Sequence, residues 1–417
     1  MKKAVIILTA LVAALASACS PSDVSEEKKP IVLTILAGQS TSDAGTEDMI
    51  DEWMQQRYPD VKLEWECVDW GDRFNTQMRG RFAAGDVPDI MIGKAQDVHT
   101  YAAVGQLGEI NIDAGSSIAQ SALDTVTIDG KIYGVPYNAW YQGVLYNKEI
   151  FEEAGIEPPR TLEEMEEVIL CLESKGVVPF ATHFQESWNV GNMTMQYMIN
   201  DIFRYDSEWG EKFREGTVSY SDNEAILRCM LNNKMILDAS WEDALQLDQF
   251  ECDSRFTQGE AAMYLTGSWS LQFANQYGKD IEFGIFPFPN QNGDAALIRE
   301  TNITFMKSAF TEHDELIDDI FNSLLKDKKL LQEVLDFTQS SSVITGADTV
   351  SSSRIQDDIS RYEAEGKIID ASVGNVQLVW EFQNSVAQEQ LSWLKNEKSL
   401  REVLSYADEN RENSVYE

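Results

Sequence analysis

The sequence predicts an α/β protein with a mostly parallel sheet, and three observations carry this prediction. Short apolar runs rich in β-formers alternate with helically spaced segments between residues 31 and 92. A strand–helix–strand–helix–strand order favours parallel strands covered by helices. Hydrophobic residues make up 43% of the 417, including ten Trp, fourteen Tyr and eighteen Phe, which is typical of well-packed globular domains. Because one core rarely serves a chain of this length, two domains are expected.

The elements of the first part of the chain follow from apolar spacing. Apolar residues alternate or run together in the strands, recur at helical spacing in the helices, and Pro59 stops the first helix. The predicted elements are a strand at 31–36, a helix at 46–58, a strand at 61–68, a helix at 73–84 and a strand at 89–92.

Later elements are fewer and less regular. Residues 129–137 (DGKIYGVPY) contain an Asp-Gly pair that predicts a tight turn between two short strands. The Ser- and Thr-rich stretch at 340–353 is a candidate loop or hinge. The remaining predictions are helices at 162–172 and 314–337 and strands at 281–286 and 303–306.

The N-terminus has the order of a secretory signal. Lys2 and Lys3 precede an apolar run at 4–16, which is too short to span a bilayer, and small residues lead into Cys19. This site resembles the bacterial lipobox, although Ala16 stands where Leu is usual. The polar stretch at 20–29 is typical of a flexible tether. Residues 1–18 are therefore expected to be removed and Cys19 to be lipidated; the alternative is a plain signal peptide with an incidental Cys.

The charge balance excludes one class of partner. The chain has 33 Lys and Arg against 70 Asp and Glu, a formal net charge of −37. Nucleic acid is not expected as a partner, because its binding depends on cationic contacts to phosphate. A solubilising surface explains the acids, and a cationic ligand stays open as an alternative.

Motifs for catalysis and metal binding are missing from the sequence. The three His residues (His99, His183 and His313) do not have a metal-ligand spacing, and no Cys-x-x-Cys pair occurs. No Gly-x-Ser-x-Gly elbow or Gly-x-x-x-x-Gly-Lys loop is found. Paired carboxylates carry no weight in a chain with 70 acids. We expect no cofactor and no enzymatic activity, with an exported carbohydrate-active enzyme as the less favoured alternative.

Several local motifs, in their order and spacing, resemble the family 1 extracellular solute-binding proteins of ABC importers, the maltodextrin-binding class. A helix ends in Ala-Gly-x-x-Pro-Asp-Ile, and a Tyr-Ala-x-x-Gly-x-Leu segment follows. Next come a Gly-Lys-x-Tyr-x-x-Pro turn with Tyr-Asn-Lys, then Gly-x-x-Ala-Met and Gly-x-Trp. They stand at 84–90, 101–107, 130–136, 146–148, 259–263 and 267–269. The resemblance covers most of the mature chain and fades after Thr301.

The resemblance implies a two-lobed, type II periplasmic-binding-protein-like fold with a ligand cleft between hinged lobes. The N-terminal lobe is expected at 30–139 and 302–345, and the C-terminal lobe at 140–301 and 346–417, after a tether at 19–29. The implied function is capture of a sugar or oligosaccharide and its delivery to the transmembrane subunits of an ABC permease. The protein is expected to be a monomer, lipid-anchored at the extracellular face of the membrane. The alternative ligand is a polyamine or other small cationic solute.

The resemblance also assigns candidate ligand-binding residues. Trp269 matches the stacking Trp of the family, and at least one of three residues at the first crossing between lobes is expected to line the cleft. Aromatic rings suit the flat C–H faces of sugars, and polar side chains suit their hydroxyls. The candidates are Trp269, Trp188, Trp380 and Trp70 as platforms, Tyr137, Trp140 and Tyr141 at the crossing, and Gln39, Ser40, Gln96 and Asp97 as polar contacts after strands.

Overall fold

A computed structural model describes residues 29–39, 45–70, 72–113, 118–277, 280–345 and 353–415. The signal segment, Cys19 and Ser40 lie outside these ranges. The chain forms two α/β lobes, each built on its own sheet, which confirms the predicted fold class. No helix within the described ranges is long and apolar enough to cross a bilayer.

The first sheet has the strand order β2-β1-β3-β12-β6, in which β1 is parallel to β2 and β3, and β12 is antiparallel to β3 and β6. Side chains alternate between its faces, so that Ile35 packs with one helix layer and Leu36 with the other. Its strands are β1 (Ile31–Gln39), β2 (Val61–Asp69), β3 (Ile90–Gly93), β6 (Val135–Pro136) and β12 (Thr304–Lys307).

Helices cover both faces of the first sheet. Apolar residues of α1, α12 and α13 form one core with Ile35, and those of α2 and α3 form the other with Leu36. The helices of this lobe are α1 (Thr46–Arg57), α2 (Asp72–Ala84), α3 (Ala95–Ala103), α4 (Gln120–Asp124), α12 (Asp314–Lys326) and α13 (Lys328–Thr338).

One prediction in this lobe is wrong: the single helix at 314–337 is two helices. Asp327 interrupts it, because its carboxylate accepts hydrogen bonds from the backbone N–H groups of Lys329 and Leu330 at 3.1 Å each. Such a side chain caps a new helix start.

The predicted Asp-Gly turn is confirmed. Asp129 and Gly130 both have positive φ (51° and 77°) between β4 (Thr127–Ile128) and β5 (Lys131–Ile132).

The second sheet is centred on a long buried strand, β7 (Asn138–Asn147). The strand order is β14-β11-β7-β9-β8, and β10 and β13 also pair with β7. The other strands are β8 (Phe180–Ala181), β9 (Met263–Gly267), β10 (Phe283–Phe286), β11 (Leu297–Thr301), β13 (Ser341–Ser342) and β14 (Ile368–Asp370).

The helices of the second lobe again form two layers. One layer packs on Val144 and Tyr146 of β7, and the other packs on Tyr141 and Leu145, which point to the opposite face. They are α5 (Lys148–Ala154), α6 (Leu162–Ser174), α7 (Ser187–Met198), α8 (Trp209–Arg214), α9 (Glu224–Asp238), α10 (Gln249–Thr257), α11 (Ser270–Tyr277), α14 (Gln356–Ala364), α15 (Trp380–Leu394) and α16 (Leu400–Glu409).

Three segments of the chain meet at Asn138, where β7 leaves the first lobe. Its carboxamide oxygen accepts from the backbone N–H of Ile303 at 2.9 Å, and its amide donates to the Ser340 hydroxyl at 2.8 Å. Its backbone carbonyl accepts from Asn302 at 3.1 Å. The buried Asn138 side chain therefore ties together the connections between the two lobes.

Candidate ligand-binding cleft

Three tryptophans from the two lobes border one cavity of about 420 Å³. Trp70 follows β2 of the first lobe, whereas Trp188 and Trp380 stand at the first turns of α7 and α15 of the second. The remaining lining residues belong to the second lobe and are mostly polar: Gln185, Glu186, Ser187, Asn384, Gln388, Leu391, Ser392 and Lys395. The structure thus brings together three residues that the sequence placed far apart.

The rings of Trp70 and Trp269 are seated in the same way, each over a glycine near the end of a strand. A methyl group added at Gly38 of β1 would collide with the Trp70 ring, and one added at Gly267 of β9 would collide with the Trp269 ring. The glycines therefore leave the space that each ring occupies against its sheet. Trp269 is half-buried, and its ring and the Trp140 ring meet edge to face at a centroid distance of 5.5 Å.

The rings of Trp188 and Trp380 are held in place by contacts with other groups of the second lobe. The Trp188 indole N–H donates to the Glu186 carboxylate at 2.8 Å, and its ring packs 5.0 Å from the buried His183 ring. Burial lowers the His183 pKa to about 3, so this support is an uncharged ring at neutral pH. A methyl group on Gly191 of α7 would lie 3.7 Å from the Trp380 ring, which places that ring on α7.

A continuous chain of polar groups crosses from one lobe to the other. The Lys94 ammonium of the first lobe donates to Glu300 of β11 at 2.8 Å, and Glu300 accepts from Gln142 of β7 at 2.7 Å. The side-chain carbonyl of Gln142 accepts from the side-chain amide of Asn192 of α7 at 3.2 Å, and the side-chain carbonyl of Asn192 accepts from the side-chain amide of Gln196 at 2.9 Å. Asn192 lies one helical turn after Trp188, so the chain of amides runs along the helix that carries this platform.

The same face of the second sheet carries both the polar chain and the aromatic rings. Trp140 and Gln142 alternate with Tyr141 along β7, Glu300 pairs opposite Trp140, and Gly267 pairs opposite Gln142. Cross-strand partners point to the same face of a sheet. Trp269, seated on Gly267, therefore lies on the same sheet face as the carboxylate and amide groups.

A second ion pair joins the lobes away from the crossing strands. The Arg79 guanidinium of α2 lies 3.2 Å from the Glu381 carboxylate at the start of α15. Within the described residues, the Lys94–Glu300 pair links the first lobe to β11 of the second lobe, and the Arg79–Glu381 pair links it to α15. These contacts hold the two lobes together across the cleft.

Asp97 is half-buried and positions the start of α3. Its carboxylate accepts from the backbone N–H of Lys94 at 2.8 Å, which fixes the turn from which the Lys94 side chain extends. Burial raises the pKa of Asp97 to about 6. The hydrogen bond from the Lys94 backbone and the Lys94 charge lower this pKa, whereas the negative charges of Glu381 and Glu300 raise it further. Gln96 is half-buried on the same turn and does not border the cavity.

The three candidates at the first crossing occupy other places than expected. Tyr137 is 1% exposed and packs edge-on against Phe305 in the core of the first lobe. Tyr141 is buried on the far face of β7, where burial raises its pKa to about 12. Both rings pack in the cores of their lobes and neither borders the cavity, so the structure does not support these two assignments. Trp140 is also buried, behind Trp269, and its indole N–H donates to the Thr338 carbonyl at 3.2 Å.

Two polar candidates after the first strand stay without a described side chain. Gln39 ends β1, beside Asp69 of β2, and Ser40 lies outside the described residues.

Sequence reasoning missed Lys94, Gln142, Asn192 and Glu300. Signals for some were present, since Lys94 directly follows β3 and Asn192 stands four residues after Trp188.

In the described part of the chain, no group of three or more His, Cys, Asp or Glu side chains is placed to hold a metal ion. Cys67, Cys171, Cys229 and Cys252 are free thiols. What the cleft offers is flat aromatic surface from both lobes together with amide, carboxylate and ammonium groups.

The comparisons with known proteins agree on one protein family. The family model of the bacterial extracellular solute-binding proteins matches residues 37–331. The multiple sugar-binding protein of Streptococcus mutans is 23% identical over 322 residues, 73% of this chain and 74% of that protein. The melibiose/raffinose/stachyose-binding protein MelE of Bacillus subtilis is 24% identical over 305 residues, 69% of this chain and 68% of that protein.

Solved structures share the fold. A chitin oligosaccharide binding protein superposes with a TM-score of 0.77 at 19% identity, covering 93% of this chain and 99% of its own. A sugar transporter protein of Bacillus licheniformis in complex with stachyose gives a TM-score of 0.77 at 17% identity, covering 91% of this chain and 98% of its own. Because the family model spans well over half of the sequence, the chain belongs to the bacterial extracellular solute-binding protein family.

Proposed function

We propose that this protein is the substrate-capture component of an ABC importer, which binds a sugar or oligosaccharide and delivers it to the permease subunits in the membrane. The observation that carries the proposal is the cavity between the lobes, with Trp70 on one side and Trp188 and Trp380 on the other. The names of the relatives and structural neighbours, which include binding proteins for melibiose, raffinose, stachyose and chitin oligosaccharides, support the sugar class.

The chemistry of the cleft suits an uncharged, hydroxyl-rich ligand. Sugar rings expose C–H faces that pack on indole rings, and their hydroxyls both donate and accept hydrogen bonds. The side-chain amides of Gln185, Asn384 and Gln388, which line the cavity, offer both functions.

A polyamine or other small cation is the second candidate ligand. Such a ligand requires several unpaired carboxylates in the cleft. Among the described residues, the cavity lining contains one carboxylate, Glu186, together with the cation Lys395 and three Trp rings. This balance favours a neutral ligand over a polycation. Capture itself needs no covalent step, because a ligand held by both lobes shifts the equilibrium from open to closed.

The placement of the protein at the cell surface completes the proposal. We infer that residues 1–18 are a signal peptide, that Cys19 carries a lipid and that 19–29 form a tether for a monomeric protein at the extracellular face of the membrane. We also propose lobe boundaries of 30–139 with 302–345 and 140–301 with 346–417. Supporting these boundaries, most strands of each sheet lie in the corresponding ranges, and the crossing strand β7 spans the first boundary.

A thermal-shift screen tests the proposed ligand class. The panel contains melibiose, raffinose, stachyose, maltose, maltotetraose and N-acetylchitooligosaccharides, with spermidine, putrescine and a tripeptide as the competing classes. A ligand that binds only the folded state stabilises it by about 2.7 kcal/mol at one hundred times its dissociation constant. We expect a rise in melting temperature with at least one oligosaccharide. A rise with polyamines alone would transfer the assignment to the cationic solutes.

Replacing Gly267 tests the seating of Trp269. Because a methyl group at this position collides with the ring, Gly267→Ala is expected to displace Trp269 and to weaken sugar binding about tenfold, or about 1.4 kcal/mol. Calorimetric titration measures the change. Gly80→Ala is the matched control: Gly80 lies in α2 with open space around its Cα, so this variant should keep full affinity. Equal affinity of both variants would contradict the proposed role of the glycine.

A further inference from the structure

A pair of phenylalanines lies on the surface of the second lobe. Phe250, on the first turn of α10, and Phe273 of α11 meet edge to face, with centroids 5.0 Å apart and an interplanar angle of 81°. Phe250 is 60% exposed, whereas Phe273 is half-buried. Exposed aromatic surface is a common mark of a binding site when it continues a larger apolar patch.

The Phe250–Phe273 pair continues the aromatic surface of Trp269. The Gln272 backbone N–H donates to the Trp269 carbonyl at 3.1 Å, so the helical turn of α11 already starts at Trp269. Phe273 stands four residues after Trp269, and side chains at this spacing lie on the same face of a helix. The apolar surface therefore runs from Trp269 along α11 to Phe273 and Phe250.

The start of α10 also lies beside the cavity that Trp188 borders. Gln185 lines that cavity, and its backbone N–H donates to the Leu247 carbonyl at 3.2 Å. The Gln185 side-chain amide donates to the Gln246 carbonyl at 3.0 Å. Phe250 follows Leu247 by three residues. The Gln185 hydrogen bonds and the spacing of Phe273 from Trp269 both indicate that the Phe250–Phe273 pair lies near the rim of the cleft.

We propose that the Phe250–Phe273 pair is an additional platform for a sugar unit of an oligosaccharide that extends out of the cleft past Trp269. This inference rests on the proposed function and adds that the ligand is longer than the cleft itself holds. The continuity with Trp269 favours the same kind of occupant at both places, because a pyranose ring packs its C–H face on a Phe ring as it does on a Trp ring.

Chain-length series of sugars separate the rim from the cleft. The probes are melibiose, raffinose and stachyose, maltose to maltopentaose, and chitobiose to chitopentaose, titrated by calorimetry into the wild type and Phe250→Ala. In the series that binds, the variant is expected to lose about three- to tenfold in affinity for the longest members and to bind the shortest as the wild type does. Phe250 is mostly exposed, so its removal should leave the melting temperature unchanged.

Phe310→Ala is the matched control. Phe310 follows β12 in the first lobe and is 64% exposed. The last residue of β12, Lys307, pairs with Ile90 at the start of β3, whereas Gly93 and the cleft are at the other end of β3. This variant should bind every chain length as the wild type does. An equal effect of Phe250→Ala at all lengths, or no effect at any length, overturns the rim platform alone. If no series binds even to the wild type, the proposed function fails first.

Discussion

Trp269→Ala is expected to weaken sugar binding by about 2 kcal/mol or more, which is the effect of removing a central aromatic anchor and corresponds to more than tenfold in dissociation constant. The ring lies over Gly267 on the sheet face that carries Gln142 and Glu300, with the Trp140 ring behind it. Because Trp269 is half-buried, its loss leaves no closed cavity, and the fold should survive. Calorimetric titration and thermal melts of the same variant measure both properties.

Trp209→Ala provides the opposite control within the same lobe. Trp209 is 3% exposed, stacks on Phe213 with centroids 5.3 Å apart and meets Tyr220 edge-on. Truncating a ring of this kind costs about 3–5 kcal/mol of stability. We expect a large fall in melting temperature for Trp209→Ala. If Trp269→Ala shows the same fall with unchanged affinity, Trp269 is a core residue and not a ligand platform.

Asp318→Leu should lower the free energy of unfolding by about 3–5 kcal/mol, as expected when a buried charge loses its partner. The Lys307 side chain of β12 is fully buried, and its ammonium contacts the carboxylates of Asp318 at 2.6 Å and Asp314 at 2.8 Å. The other Asp318 oxygen accepts from the Asn111 amide at 3.1 Å. The variant leaves the buried ammonium with the single, mostly exposed Asp314 carboxylate.

Urea unfolding of three variants separates the buried pair from an ordinary ion pair. Glu333→Ala removes the exposed Lys329–Glu333 pair of α13 and should cost less than about 1 kcal/mol. The double variant Lys307→Met with Asp318→Leu removes both buried charges and should recover part of the loss. If Asp318→Leu costs no more than Glu333→Ala, the buried pair does not stabilise the first lobe as we infer.

Local patterns in the sequence predicted most of the first lobe. The strand at 61–68, the helices at 46–58 and 73–84 and the Asp-Gly turn are present within a residue or two of their predicted bounds. These elements have one exposed face, so their period is visible in the sequence. The helix at 314–337 shows the limit, because a single capping carboxylate, Asp327, divides an otherwise continuous apolar stripe.

Residues of the crossing strand could not be assigned from the sequence. Every residue of β7 is buried, so the alternation that separates Trp140 and Gln142 from Tyr141 has no polar side to reveal it. Only the packing of helices on both faces decides that Tyr141 enters a core. The Lys94–Glu300 pair joins residues more than 200 positions apart, and no local pattern predicts such a contact. The assignments of Trp188 and Trp269 as ligand platforms come from the family resemblance, not from periodicity.

Calorimetric titration of Trp70→Ala and Trp188→Ala tests most directly whether the ligand is held between the lobes. The probe is the oligosaccharide that gives the largest thermal shift. Trp70 belongs to the first lobe and Trp188 to the second, and both border the same cavity. We predict that each variant loses more than about tenfold in affinity while its melting temperature without ligand stays near that of the wild type. Full affinity in either variant would contradict a sugar bound by both lobes.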